Sequence, residues 1–147
     1  MFKRLLVPVD GSDLSSQAID KSIALAKQLG AAITGFVVES LPPLPSTGVR
    51  AGTFARDVAE HDAKAAAHAN RLLTGFREAA AAAGVPFEGR YDSNHDIAAA
   101  IASAAAAAEA DMIVMATHGR GAFGELLFGS HTKNVMTRTK VPLLVLH

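Results

Sequence analysis

The residues best placed to do chemistry lie between Gly119 and Thr132. Gly119 follows a short apolar run, Met112-Ile113-Val114-Met115-Ala116, and after it come nine residues and then Gly129-Ser130-His131-Thr132. An apolar run, a glycine-bearing loop and a polar helix start let backbone N–H groups and a helix dipole converge on an anion. Gly119 would let the backbone approach a phosphate closely, and Gly129 would release the chain into a helix. Ser130 and Thr132 would add hydroxyl donors within its first turn. The competing reading is purely structural: Gly119 and Gly121 make a turn, and Ser130 caps a helix.

Other patterns in the chain fail on their mechanics. Gly119-Arg120-Gly121-Ala122-Phe123-Gly124 is a literal G-x-G-x-x-G, but no Asp or Glu occurs after Glu125 to hold ribose hydroxyls. The spacing of Gly119 and Gly124 fits a P-loop, yet Glu125-Leu126 stands where Lys-Ser/Thr is required. Asp92-Ser93-Asn94-His95-Asp96 begins like a calcium loop, but Ile97 replaces its glycine and Ser103 its bidentate glutamate. His61 and His68 are two helical turns apart, too far for paired zinc ligands, and suit a solvated helix face. Adjacent side chains diverge on a helix, so Ser130 and His131 cannot form a nucleophile–base pair by proximity in sequence. No catalytic set and no metal set survives.

A loop of this kind must be held by strands that end, and helices that begin, at one rim. Leu5-Leu6-Val7-Pro8-Val9 reads as a first strand, closed by Asp10-Gly11-Ser12-Asp13. Ser12 or Asp13 can cap the helix that follows, in which Leu14, Ala18, Ile19, Ile23, Ala26 and Leu29 recur at helical spacing before Gly30 stops it. Asp10 then sits at the carboxyl end of the first strand, where open α/β sheets keep their ligands, or else it merely forms an Asx-turn. Ala32 to Val38 is the second strand. A proline-bearing loop from Leu41 to about Gly52 follows, either a lid or an exposed excursion. Phe54 to Ala83 is helical up to Gly84, Phe87 to Tyr91 alternates as a third strand, and Ile97 to Ala110 is an alanine-rich helix. The chain ends with a short helix from Ser130 to about Arg138 and a strand from Val141 to Leu146, where Pro142 suits a sheet edge. Strands alternating with helices imply a parallel sheet covered on both faces.

At 147 residues this reads as one domain, large enough for a sizeable core. Its formal net charge of +0 argues against a broad nucleic-acid or membrane surface. Although 50% of residues are hydrophobic, no run approaches the roughly 18 apolar residues of a membrane span. The apolar stretch after Met1-Phe2-Lys3-Arg4 is too short for a secretory signal. The absence of cysteine excludes disulfides, thiolate nucleophiles and Cys-based zinc sites, and the expected compartment is the cytoplasm.

In four ordered blocks the chain resembles the universal stress protein family. They are Leu5-Leu6-Val7-Pro8-Val9-Asp10-Gly11-Ser12, Ala110-Asp111-Met112-Ile113-Val114-Met115, Ala116-Thr117-His118-Gly119 with nine residues to Gly129-Ser130, and Val141-Pro142-Leu143-Leu144-Val145. The third block is similar to the family's G-x-x-G, nine residues, G-[S/T], with Ala116 in place of the first glycine. The resemblance implies a three-layer α/β/α sandwich around a five-stranded parallel sheet of order 3-2-1-4-5. It implies an adenine nucleotide, ATP with or without Mg2+, as ligand. Asp10 would meet the ribose, Val38 the adenine, Met115 and Gly119 the sugar and phosphates, and Gly129, Ser130 and Thr132 the phosphate chain. Pro8, Val9, Ala116, Arg120 and His131 complete the expected lining. It further implies a stress-response regulator with an unidentified protein partner, forming a homodimer through the Val141–Leu146 edge strand. A same-fold interaction module without nucleotide is the rival, favoured by the methyl of Ala116, and a slow ATP hydrolase is a weaker third.

Overall fold

The computed structural model describes residues 1–39, 41–42, 44–117 and 130–147. The side chains of Asp13, Leu14 and Ser130 also lie outside the described set, and with them the expectations that Asp13 caps and Leu14 packs. The elements in chain order are β1 (Arg4–Pro8), α1 (Asp13–Leu29), β2 (Ala32–Glu39), α2 (Ala51–Ala82), β3 (Phe87–Ser93), α3 (Ile97–Ala107), β4 (Met112–Ala116), α4 (Ser130–Arg138) and β5 (Leu143–Leu146). All the strand pairings are parallel, in the order β3-β2-β1-β4-β5, as the sequence predicts.

Two cores form because successive side chains of a strand point to opposite faces. On one face Leu5, Val7, Ile33, Val37 and Val114 pack against Ile23 and Ala26 of α1 and against Ala69, Leu73, Phe76 and Ala80 of α2. On the other, Leu6, Phe36, Ile113 and Met115 pack against Ala98, Ile101, Ala104 and Ala105 of α3 and Val135 of α4. Leu5 and Leu6 thus belong to different cores although they are neighbours in sequence. The β1 strand therefore reads as an unbroken apolar run, the pattern of a strand covered on both sides. The carboxylate of Asp111 ties β1 to the start of β4, accepting from the backbone N–H groups of Lys3 (2.7 Å) and Arg4 (3.0 Å).

Helix ends show where local chemistry places the loops. Ser12 caps α1 by accepting from the Ser15 N–H at 3.2 Å, and Gly30, at φ +62°, closes it. The α2 helix starts at Ala51, three residues before the predicted Phe54, which shortens the proline-bearing loop by the same turn. The α3 helix stops at Ala107, short of the predicted Ala110. Its end is a Schellman turn: the N–H of Ala110 donates to Ala105 O (2.9 Å) and that of Glu109 to Ala106 O (3.0 Å), with Glu109 held at φ +49°. Glycine is the usual residue there, so nothing in the local sequence announces the stop. The β5 strand begins at Leu143, not at the predicted Val141, because Pro142 has no N–H for the ladder. The carbonyl of Pro142 accepts from the Ile113 N–H at 2.8 Å. Both edges of the sheet are short of a neighbour, β3 on one side and β5 on the other. Among the described residues no helix is long and apolar enough to cross a membrane.

Candidate functional site

In this strand order the chain leaves β1 toward β2 on one side, and later returns to β4 on the other. The connections after β1 and β4 therefore diverge, and they open a crevice at the carboxyl ends of these two strands. A cavity of about 320 Å3 occupies that crevice. Its base is formed by Pro8, Val9 and Ala116, where the two central strands end. One wall is apolar, built from Phe36 and Val38 of β2, Ile97 and Ile101 of α3, and Met115 of β4. The rest of the lining is polar, with Asp10, Ser12, Ser15, Thr117, His131 and Thr132. An apolar slot with a few convergent polar groups is the ordinary make-up of a small-molecule site.

The β1–α1 turn is fixed by two short-range bonds and one to the neighbouring strand. Asp10 Oδ1 accepts from the Ser12 N–H at 2.9 Å, while the Asp10 N–H donates to Ser15 Oγ at 3.1 Å. The Val9 N–H donates to Phe36 O at 2.9 Å, so the strand pairing runs up to the turn itself. Asp10 thus does both things that its position allows: it closes an Asx-turn and it lines the cavity. Gly11 lies at φ +84°, and a Cβ added there would stand 3.2 Å from Leu72 Cδ2 and 3.4 Å from His68 Nε2. The α2 helix therefore braces the turn from behind, and its His68 Nδ1 pairs with Glu39 Oε1 at the end of β2.

On the far side, α4 begins at Ser130 and brings the first residues of its first turn to the cavity. Thr132, on that first turn, is 2% exposed and lines the cavity. Asp96 caps α3 by accepting from the Ala99 N–H at 3.0 Å with one oxygen. With the other it holds Arg138 of α4 at 2.8 Å, which couples the two helices beside the site.

Eight residues expected at the site line this one cavity: Pro8, Val9, Asp10, Val38, Met115, Ala116, His131 and Thr132. Gly119, Arg120 and Gly129 lie outside the described residues, and Ser130 is described only as the start of α4. Sequence reasoning did not place Ser12 (beyond its capping role), Ser15, Phe36, Ile97, Ile101 or Thr117 on the cavity. Phe36 was accessible by period-two alternation with Val38, and Ile97 by its place directly after the α3 cap. Ser15 and Ile101 carry no such signal. Among the described residues no group of three or more His, Asp or Glu side chains is arranged to hold a metal ion.

Comparison with known proteins agrees with this architecture. A model of the universal stress protein family matches residues 1–147. A universal stress protein of Thermus aquaticus, encoded in the QAH/OAS sulfhydrylase 3′ region, is 32% identical over 145 residues, covering 99% of this chain and 98% of the relative. Among solved structures, the universal stress protein UspA from Lactobacillus plantarum has a TM-score of 0.80 at 21% identity, covering 99% of this chain and 98% of that one. A universal stress protein in complex with cAMP has a TM-score of 0.68 at 22% identity, covering 99% and 97%. At these identities the two structures speak for the fold.

Proposed function

The chain belongs to the universal stress protein family, and from that premise we propose that it binds an adenine nucleotide, ATP foremost, in the cavity between β1 and β4 and acts as a cytoplasmic stress-response regulator. The observation that carries this reading is the division of the cavity into an apolar wall and a polar lining that includes the first turn of a helix. An adenine ring fits among Phe36, Val38, Ile101 and Met115, where its faces are desolvated. Ribose hydroxyls come within the reach of Asp10. Phosphates take the backbone N–H groups that open α4, together with the Thr132 hydroxyl. A relative of the same fold is known in complex with cAMP, which supports the ligand class. In this reading the protein is a binder whose loaded and empty states are distinguished by a protein partner, rather than a committed catalyst. Mg2+ would enter with the ATP phosphates.

The test is direct. Denaturing the purified protein should release an adenine nucleotide. Thr132→Val, which keeps shape and removes the hydroxyl, should weaken ATP binding about tenfold, since a hydrogen bond to a charged group is worth roughly 1.5–3 kcal/mol. Unchanged affinity in calorimetric titration would remove Thr132 from the phosphate site. One residue favours the rival reading of an interaction module without nucleotide: Ala116, whose methyl stands at the base of the cavity.

The same proposal includes a homodimer through β5. Among the described residues this strand is an edge with no strand on its outer side, and Leu144 on it is 36% exposed. Pairing with a second copy would satisfy that edge and cover the leucine. Sedimentation should give a dimer at micromolar concentration, and a monomer would count against the pairing.

A further inference from the structure

We infer that Phe36 sets the ligand class of this cavity, limiting it to adenine nucleotides whose exocyclic amine carries no substituent. The inference rests on the adenine-nucleotide reading above and concerns the specificity of that same site. Phe36 is 3% exposed and stands within β2, level with Pro8 on β1 and with Arg90 on β3. It lies two residues before Val38 on the same face of the strand, so it is set deeper, away from the strand ends where Asp10 is found. With the ribose at Asp10 and the phosphates at the start of α4, the base enters pointing away from its sugar. The leading edge of adenine is then the one opposite the glycosidic bond, which carries the amine, and Phe36 is what it meets.

Behind Phe36 lies a second hollow of about 510 Å3, open to solvent. Arg90 and Asp92 of β3 and Ala100, Ser103, Ala104 and Ala107 of α3 line it, and Phe36 is the residue that its lining shares with the lining of the cavity. The α3 helix faces both spaces with different rows of side chains. Ile97 and Ile101, one turn apart, lie on the cavity, while Ala100, Ala104 and Ala107 form the next row and lie on the hollow. The bulky row closes the cavity, and the alanine row gives the hollow its width. Among the described residues none from β3 joins the core of this sheet face, so β3 does not fill the hollow from its side. The ring of Phe36 is therefore the partition between the two spaces, and its size decides how far a base can extend.

The probes are ATP and N6-benzyl-ATP, which differ only in bulk on the amine. Calorimetric titration of the full chain should show ATP bound at least about tenfold more tightly, because overpacking a rigid wall is costly. Phe36→Ala should weaken ATP, which loses the ring contact, and strengthen N6-benzyl-ATP, bringing the two within about threefold of each other. A residue that only packs the core would lower both affinities alike and leave their ratio unchanged. Phe36→Leu, which keeps most of the packing, should give an intermediate ratio and is the variant to read if Phe36→Ala does not fold by circular dichroism. Ser103→Phe, a substitution at an exposed position on the hollow, should leave ATP affinity as it was in the otherwise wild-type chain. Combined with Phe36→Ala it should restore the preference for ATP, since its ring takes the space that the benzyl group would enter. Equal binding of the two probes by wild type, a ratio unmoved by the Phe36 variants, or a gain that Ser103→Phe leaves intact would overturn the inference while leaving the nucleotide reading standing. Failure of wild type to bind ATP at millimolar concentration would overturn the nucleotide reading, and the inference with it.

Discussion

Ala116→Phe should abolish adenine-nucleotide binding, lowering affinity by about 100-fold or more, which corresponds to about 2.7 kcal/mol. Ala116 ends β4, pairs in register with Leu146 and forms part of the base of the cavity. It is half-buried and lines the cavity, so a ring at this position takes up cavity volume. The fold should therefore survive, with a melting temperature within a few degrees of wild type, while the ligand loses the volume it needs. Ala116→Gly is the opposite experiment. It removes one methyl group from the base of the cavity and restores the glycine of the family motif, so affinity should equal or exceed that of wild type. Titration of the three proteins, stripped of endogenous ligand, decides the matter. If wild type binds nothing at millimolar ATP and Ala116→Gly gains binding, this chain is a member that has lost its ligand.

The largest effect on stability is expected from Phe76→Ala. Phe76 is 1% exposed and lies on α2 over the sheet, with its ring centroid 4.8 Å from that of Phe87 on β3. Gly35 makes room for this pair: a Cβ on it would stand 2.7 Å from Phe87 Cζ and 3.0 Å from Phe76 Cδ1. Removing the Phe76 ring leaves a void bounded by rigid strand backbone on one side and a helix on the other, so collapse is limited. Such truncations cost about 3–5 kcal/mol, against a total stability of about 5–15 kcal/mol for a domain. Urea denaturation should show the midpoint falling by about a fifth or more with little change in slope. A loss below about 1 kcal/mol would mean that the site repacks.

The sheet was legible because β1 and β4 are covered on both faces and appear as unbroken apolar runs. Their order followed from the family resemblance, not from any local pattern. Helix stops were legible at Gly30 and Gly84, where glycine takes the left-handed position. The stop after α3 was hidden because Glu109 adopts that position in glycine's place, held by the two backbone bonds of the turn. Asp10 could be named because the crevice of an open α/β sheet lies where its strands finish, whereas Pro8, Val9 and Met115 were named through the family resemblance. Ile101 and Ser15 could not, since they reach the cavity through the docking of α3 and through the hydrogen bond to the Asp10 N–H. Tertiary placement of this kind leaves no trace in periodicity.

The α2 helix runs for 32 residues, about 48 Å at 1.5 Å per residue, yet its buried residues are Ala65, Ala69, Leu73, Phe76 and Ala80. Ahead of Ala65 none of its side chains is fully buried, Phe54, Val58 and His61 being the least exposed. The start of the helix is poorly secured as well: the N-cap is Arg50, whose side chain makes no capping bond, and no acidic residue in the first turn offsets the helix dipole. Amide hydrogens ahead of Ala65 consequently exchange by fraying, at a lower cost than those beyond it. Those beyond it exchange only when the sheet face they cover is opened. One continuous helix carries two stabilities, and the border between them falls at Ala65, the first of its buried residues.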